Sequence, residues 1–277
     1  MSGRAFVKMH GLGNDFVVVD ARGRAFAPGV EAVRALADRR TGIGCDQLIV
    51  VEAPRSELAD AFMRIRNADG GEVAACGNAT RCVAALLMRE SGADHAIIET
   101  QAGLLDAHAA DDGLIAVDMG RVRFDWREIP LAEPADTLHV GVEAGPLRDA
   151  VCVNVGNPHA VFFVPDAERV AIDVFGPAIE RHPMFPERTN VEAVQVLARD
   201  RLRMRVWERG AGVTRACGTG ACAAAVAAAR RGLAERAVTV VLDGGSLRIE
   251  WLRDDHVLMT GPVATAFTGV LDPSLAG

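Results

Sequence analysis

Two cysteines sit in matching short motifs. Ala75-Cys76-Gly77-Asn78 recurs 141 residues later as Ala216-Cys217-Gly218-Thr219, and a helix-forming stretch follows each copy. A thiol at a helix N-terminus feels the positive end of the macrodipole and unpaired backbone N–H groups. Its thiolate is favoured, and its pKa is expected to fall from about 8.5 toward neutrality. The glycine after each cysteine lets the backbone approach a ligand closely. The same N–H groups can hold a carboxylate. One thiolate and one thiol, aimed at a carbon from opposite sides, supply a base and an acid that exchange roles in the reverse reaction. Oriented dipoles at an adjoining carboxylate would stabilise the carbanion. Such a pair needs no pyridoxal-type group, so no cofactor is expected.

Three other readings compete. Core packing is the default for a free cysteine, and it is assigned to Cys45, Cys82, Cys152 and Cys222, which lie in or near apolar segments. Zinc sites favour Cys pairs with two to four residues between them and further Cys or His ligands. Cys76 and Cys82 have five residues between them, Cys217 and Cys222 have four, and no His pair completes either set. No metal is expected. A redox dithiol would show Cys-x-x-Cys, which is absent.

The elements that must position the thiols repeat as well. Arg64-Ile65-Arg66-Asn67 returns as Arg205-Val206-Trp207-Glu208, and Gly13-Asn14-Asp15-Phe16 returns as Gly156-Asn157-Pro158-His159. Helices are expected over Val30–Arg40, Ile172–Arg181, Cys76–Ser91 and Cys217–Arg231. Gly42 and Gly44 should stop the first, and Gly92 and Gly232 should follow the thiol helices. Strands are expected at 48–52, 61–67, 96–100, 104–108 and 114–119, and again at 191–196, 202–208, 237–242, 247–251 and 257–260. Residues 121–146, with prolines at 130, 134 and 146, read as a linker. The second thiol helix is apolar nearly all round, so it should be buried. The result is an α+β protein of two similar strand-rich, barrel-like domains, each around a central helix and related by internal duplication.

Length and composition agree. At 277 residues, roughly two domains are expected. The 50% hydrophobic and 24% charged content is that of a globular protein with an ample core. A net charge of −7 with no basic stripe argues against nucleic acid. With no tyrosine and few aromatics, base stacking is not expected either. No targeting segment or membrane-length apolar run is read, so a cytoplasmic protein with reduced cysteines is expected.

The motifs together resemble the diaminopimelate epimerase family over essentially the whole chain. The carriers are Lys8-Met9-His10-Gly11-Leu12-Gly13-Asn14-Asp15-Phe16, Asn67-Ala68-Asp69-Gly70 with Cys76-Gly77-Asn78-Ala79-Thr80-Arg81-Cys82, Gly156-Asn157-Pro158-His159, Asn190, Trp207-Glu208-Arg209-Gly210 and Ala216-Cys217-Gly218-Thr219-Gly220. The resemblance implies cofactor-independent epimerisation of L,L-2,6-diaminopimelate to the meso form, in lysine and peptidoglycan precursor synthesis, at a site flanked by both domains. It makes Cys76 and Cys217 the acid–base pair. It assigns substrate contact to Asn14, Gln47, Asn67, Asn78, Asn157, Asn190, Glu208 and Arg209, and to the backbone of Gly77, Gly218 and Thr219. It gives His159 and Glu208 the tuning of the thiols.

Arg209 has the fork geometry to grip a distal carboxylate. The domains would be residues 1–120 joined by a returning tail, 264–277, and residues 121–263. The resemblance also implies a homodimer, although Phe267 stands where the family often has a tyrosine linked to dimerisation. Proline racemases and hydroxyproline epimerases share the paired-thiol plan, but they tend to place histidine after Cys-Gly, where this chain has Asn78. A thiol redox or metal module would leave the asparagines and the Glu-Arg pair unexplained.

Overall fold

A computed structural model describes residues 3–272 and residue 275. The chain divides into two compact units, residues 1–117 with 261–277, and residues 118–260. Of the terminal segments, residues 1, 2, 273, 274, 276 and 277 lie outside the described residues.

The first unit runs β1 (Arg4–Gly11), β2 (Asn14–Asp20), α1 (Val30–Ala37), β3 (Gln47–Glu52), β4 (Ala61–Asn67), β5 (Glu72–Val73), α2 (Gly77–Ser91), β6 (His95–Thr100), β7 (Gly103–Ala109) and β8 (Ile115–Arg121), the last of which crosses the division. The second runs β9 (Val151–Asn154), β10 (Pro158–Phe163), α3 (Ile172–Glu180), β11 (Asn190–Ala198), β12 (Arg201–Glu208), β13 (Gly212–Val213), α4 (Gly218–Arg230), β14 (Ala237–Leu242), β15 (Gly245–Trp251) and β16 (His256–Gly261). Strand directions repeat between the units. β1 and β2 are antiparallel, β2 and β3 parallel, β3 and β4 antiparallel, β4 and β6 parallel, and β6 to β8 antiparallel. The corresponding pairs from β9 to β16 follow the same sequence of directions. β17 (Ala264–Leu271) returns to pair antiparallel with β1.

Burial explains the pattern. Phe16 to Val19 of β2 and Leu48 to Val51 of β3 are all buried, as parallel strands covered on both faces must be. β12 alternates instead, with Leu202, Met204 and Val206 inward. The helix α4 packs against β9, β10, β11, β12, β14 and β15. Its residues 220–228 are all buried, and their small side chains let strands approach from every side. α2 plays the same part among β1, β2, β6 and β7. Each unit is thus a strand-rich, barrel-like layer around one central helix.

Two expectations need correction. The first helix ends at Ala37, not Arg40. Asp38 turns out of the helix at φ −61°, ψ 125°. Its carboxylate then accepts from the N–H of Arg40 and Thr41 and from the Thr41 hydroxyl. This local aspartate turn competes successfully with one more helical turn. Of residues 121–146, Arg121 ends β8 and the rest form no regular strand, but they are not a solvent-facing linker. Ile129, Leu131, Val140 and Val142 enter a buried cluster with Phe162 and Ile179. They fall in two isolated pairs, each too short to mark a strand, so sequence periodicity passes over them.

Candidate functional site

In the first unit a tight turn launches the site. Leu12 and Gly13 both have positive φ, 57° and 84°, as a two-residue hairpin turn of this hand requires. Glycine adopts that conformation freely; leucine there is strained. The turn delivers Asn14 to the head of β2. Its side-chain N–H group donates to Asp46 Oδ2 at 2.9 Å. Its Oδ1 accepts from Asn78 Nδ2 at 3.3 Å and lies 3.9 Å from the Cys76 thiol. Cys76 is the N-cap of α2, with extended backbone at φ −150° and ψ 108°, and its carbonyl accepts from the N–H and hydroxyl of Thr80. Asn78 Oδ1 in turn accepts from the fully buried Arg81 at 2.8 Å. Gln47 opens β3 and donates to Asn67 Oδ1 on β4 at 2.9 Å. Asn14, Gln47, Asn67, Cys76, Gly77 and Asn78 therefore belong to one end of the first unit: β2, β3 and β4 are in register there, and α2 begins beside them.

The second unit repeats this plan with a different interior. Cys217 is the N-cap of α4 and is buried. Its sulfur accepts from the Gly220 N–H at 3.3 Å and meets the Thr219 hydroxyl at 3.5 Å. A Cβ on Gly220 would fall 3.1 Å from Glu192 Oε1 and 3.3 Å from the Cys217 sulfur. The glycine lets both press against the helix start without either giving way. His159 on β10 is fully buried, with Nδ1 2.7 Å from Glu192 Oε1 and Nε2 2.8 Å from Asn157 Oδ1. Asn190 donates to the Pro158 carbonyl and accepts from the Arg209 backbone N–H, both at 2.9 Å. Glu208 accepts from the Thr214 hydroxyl. Arg209 is exposed and donates to the Glu187 carbonyl at 3.0 Å.

The sequence reading missed the residues that hold this segment. Glu180, on α3, accepts from the Trp207 indole at 2.7 Å and from the Gly210 N–H at 3.1 Å. It therefore fixes both flanks of Glu208-Arg209. Gly176 seats the Trp207 ring, since a Cβ there would lie 2.5 Å from it. Glu192 was missed as well. Its signal was a lone acid among mostly apolar residues in the expected strand 191–196.

The expected lowering of the Cys217 pKa is not found. Burial, with Glu208 and Glu192 nearby, pushes this thiol well above the ordinary range. The Thr219 and Gly220 contacts favour the thiolate but are outweighed. A helix end contributes on the order of 1 kcal/mol, which desolvation of a buried thiolate exceeds. The four cysteines assigned to packing are buried, and all six are free. Burial raises Cys45 to about 11 and Cys82 to about 12, and pushes Cys152 higher still.

The sequence matches the family profile described as diaminopimelate epimerase over residues 6–124 and 151–266. It is 60% identical to a diaminopimelate epimerase of Rhodospirillum centenum, over 98% of this chain and 94% of that one. It is 59% identical to one from Phenylobacterium zucineum, over 97% and 98% of the two chains. Among solved structures, a probable proline racemase from Agrobacterium radiobacter aligns with a TM-score of 0.69, covering 99% of this chain and 96% of that one at 18% identity. That last likeness is one of fold.

Proposed function

The chain belongs to the diaminopimelate epimerase family, and from that membership we propose that it interconverts L,L-2,6-diaminopimelate and the meso isomer by two-base chemistry at Cys76 and Cys217, without pyridoxal phosphate. The observation that carries the reading is that each unit presents one cysteine as the N-cap of its central helix.

The mechanism follows from the two environments. Cys217 rests as the thiol, because burial and two carboxylates disfavour its charged form. In the direction where Cys217 is the acid, Cys76 is the base, and in the other direction the roles exchange. The base takes the α-proton and the thiol delivers its own proton to the opposite face. The centre inverts, and the thiols are left with exchanged protonation. Backbone N–H groups at the starts of α2 and α4 suit a carboxylate and the negative charge that grows on it as the proton leaves. The paired amides Asn14–Asn78 and Gln47–Asn67 offer donors and acceptors for ammonium and carboxylate groups. Arg209, exposed beyond Glu208, suits the distal carboxylate.

A homodimer and a cytoplasmic setting belong to the same reading. Six free cysteines suit a reducing compartment. No helix of the described residues is long and apolar enough to cross a membrane.

The test is α-proton exchange in deuterated water. L,L-diaminopimelate should lose its α-proton signal and yield the meso isomer, while L-proline under the same conditions should not exchange. Exchange of proline with diaminopimelate untouched would reassign the substrate.

A further inference from the structure

A second group of ligating side chains lies wholly in the first unit, on the β6–β7 hairpin. Register sets His95 directly opposite His108. Asp106, two residues before His108, shares that face because side chains alternate along a strand. His95 Nε2 lies 3.3 Å from Asp106 Oδ1, and His108 Nε2 lies 3.1 Å from the same oxygen. The imidazole centroids are 5.1 Å apart. Each side chain is roughly half exposed, yet Asp106 Oδ1 itself is shielded from solvent and has no hydrogen-bond partner among the described residues. Two ring nitrogens thus approach a carboxylate oxygen closely without hydrogen-bonding it. All three ligand atoms fall within 4.8 Å of one another.

We propose that His95, Asp106 and His108 bind a divalent transition-metal ion of the zinc class. Zinc holds imidazole nitrogen and carboxylate oxygen at about 2.0–2.2 Å, so tetrahedral ligand atoms sit about 3.3 Å apart. The two measured edges, 3.1 and 3.3 Å, match that spacing. Two imidazoles with one carboxylate suit zinc, nickel or copper better than magnesium or calcium. Half exposure leaves room for water as the fourth ligand. The ligands come from adjacent strands, so the ion ties β6 to β7 and stabilises the hairpin. It takes no part in the thiol chemistry.

The competing sink for zinc is a reactive thiol, and the experiment separates the two. Reduced full-length protein is dialysed against Zn2+ and then, separately, Co2+, alongside His95→Gln, His108→Gln and Asp106→Asn. The expected result is one ion per chain with at least tenfold weaker binding in each variant. Added Zn2+ should raise the melting temperature of the parent protein but not of the variants. The Co2+ spectrum should show tetrahedral d–d bands without a sulfur-to-cobalt charge-transfer band. Binding unchanged in all three variants, no binding by the parent, or a sulfur-to-cobalt band would each overturn the assignment.

Discussion

His159 Nδ1 lies 2.7 Å from Glu192 Oε1, with both side chains fully buried. The other ring nitrogen faces Asn157 Oδ1, an acceptor, so Nε2 carries a proton. One further proton remains for the Nδ1–Oε1 contact, on either atom. Burial raises the Glu192 pKa, and the attraction of His159 only partly opposes it. The pair therefore holds one shareable proton against the start of α4, where Cys217 sits. The first unit has no such pair at the equivalent positions. At the equivalent positions of the repeat stand Phe16 and Ile49, both fully buried and apolar.

Glu192→Gln tests this relationship while keeping the shape of the side chain. It removes the shareable proton and leaves the hydrogen-bonding outline. General acid–base groups contribute about 10²–10⁴-fold, and a group acting through a neighbour should give less than that. The kcat should fall about ten- to a hundredfold with KM little changed, and the rate–pH profile should shift. A profile superimposable on the parent's would reduce Glu192 to a packing residue.

Cys76→Ala and Cys217→Ala should each abolish epimerisation and leave folding nearly intact. Cys217 rests as a neutral thiol beside two carboxylates, so Cys217→Ala removes no charge there and its melting temperature should not fall far. By contrast, Cys82→Ala and Cys152→Ala should keep turnover and lose about 1–3 kcal/mol of stability, as core truncations do. Normal turnover by either Cys76→Ala or Cys217→Ala would refute the two-base reading.

Arg209→Ala should act on binding. The guanidinium is exposed and donates to the Glu187 backbone carbonyl. A charged hydrogen bond at such a place is worth about 1.5–3 kcal/mol. KM for diaminopimelate should rise accordingly while kcat changes less. An unaltered kcat/KM would remove Arg209 from substrate contact.

Much of this was legible because duplication writes the same pattern twice. The thiol motifs, the glycines after their helices and the alternation in β12 are local features, set within a few residues of one another. What escaped was set by distant packing. Glu192 is chemically meaningful only because β11 pairs in parallel with β10 and brings it to His159. Glu180 matters because α3 folds back onto Trp207. The Cys217 shift reversed the expectation for the same reason: a helix end is visible in sequence, whereas the burial around it and the approach of Glu192 come from the packing of other strands.

The acid limb of stability should report on Asp15. This carboxylate meets Lys8 and Arg39, each at 2.6 Å. Burial by itself would raise its pKa, but hydrogen bonds and attraction from Arg39 and Lys8 hold it well below the usual carboxylate value. Unfolded, the group titrates near 3.9. A depressed folded value stabilises the protein fully above that pH, and the benefit is lost as pH falls through the folded value. Asp15→Asn should therefore cost about 1.5–3 kcal/mol at pH 7, the worth of hydrogen bonds to charged groups. Urea midpoints of variant and parent should draw together below about pH 4. A deficit that stayed constant down to acid pH would mean that asparagine disturbs packing. A deficit that closes would show that charge holds β1, β2 and the loop after α1 together, next to Asn14.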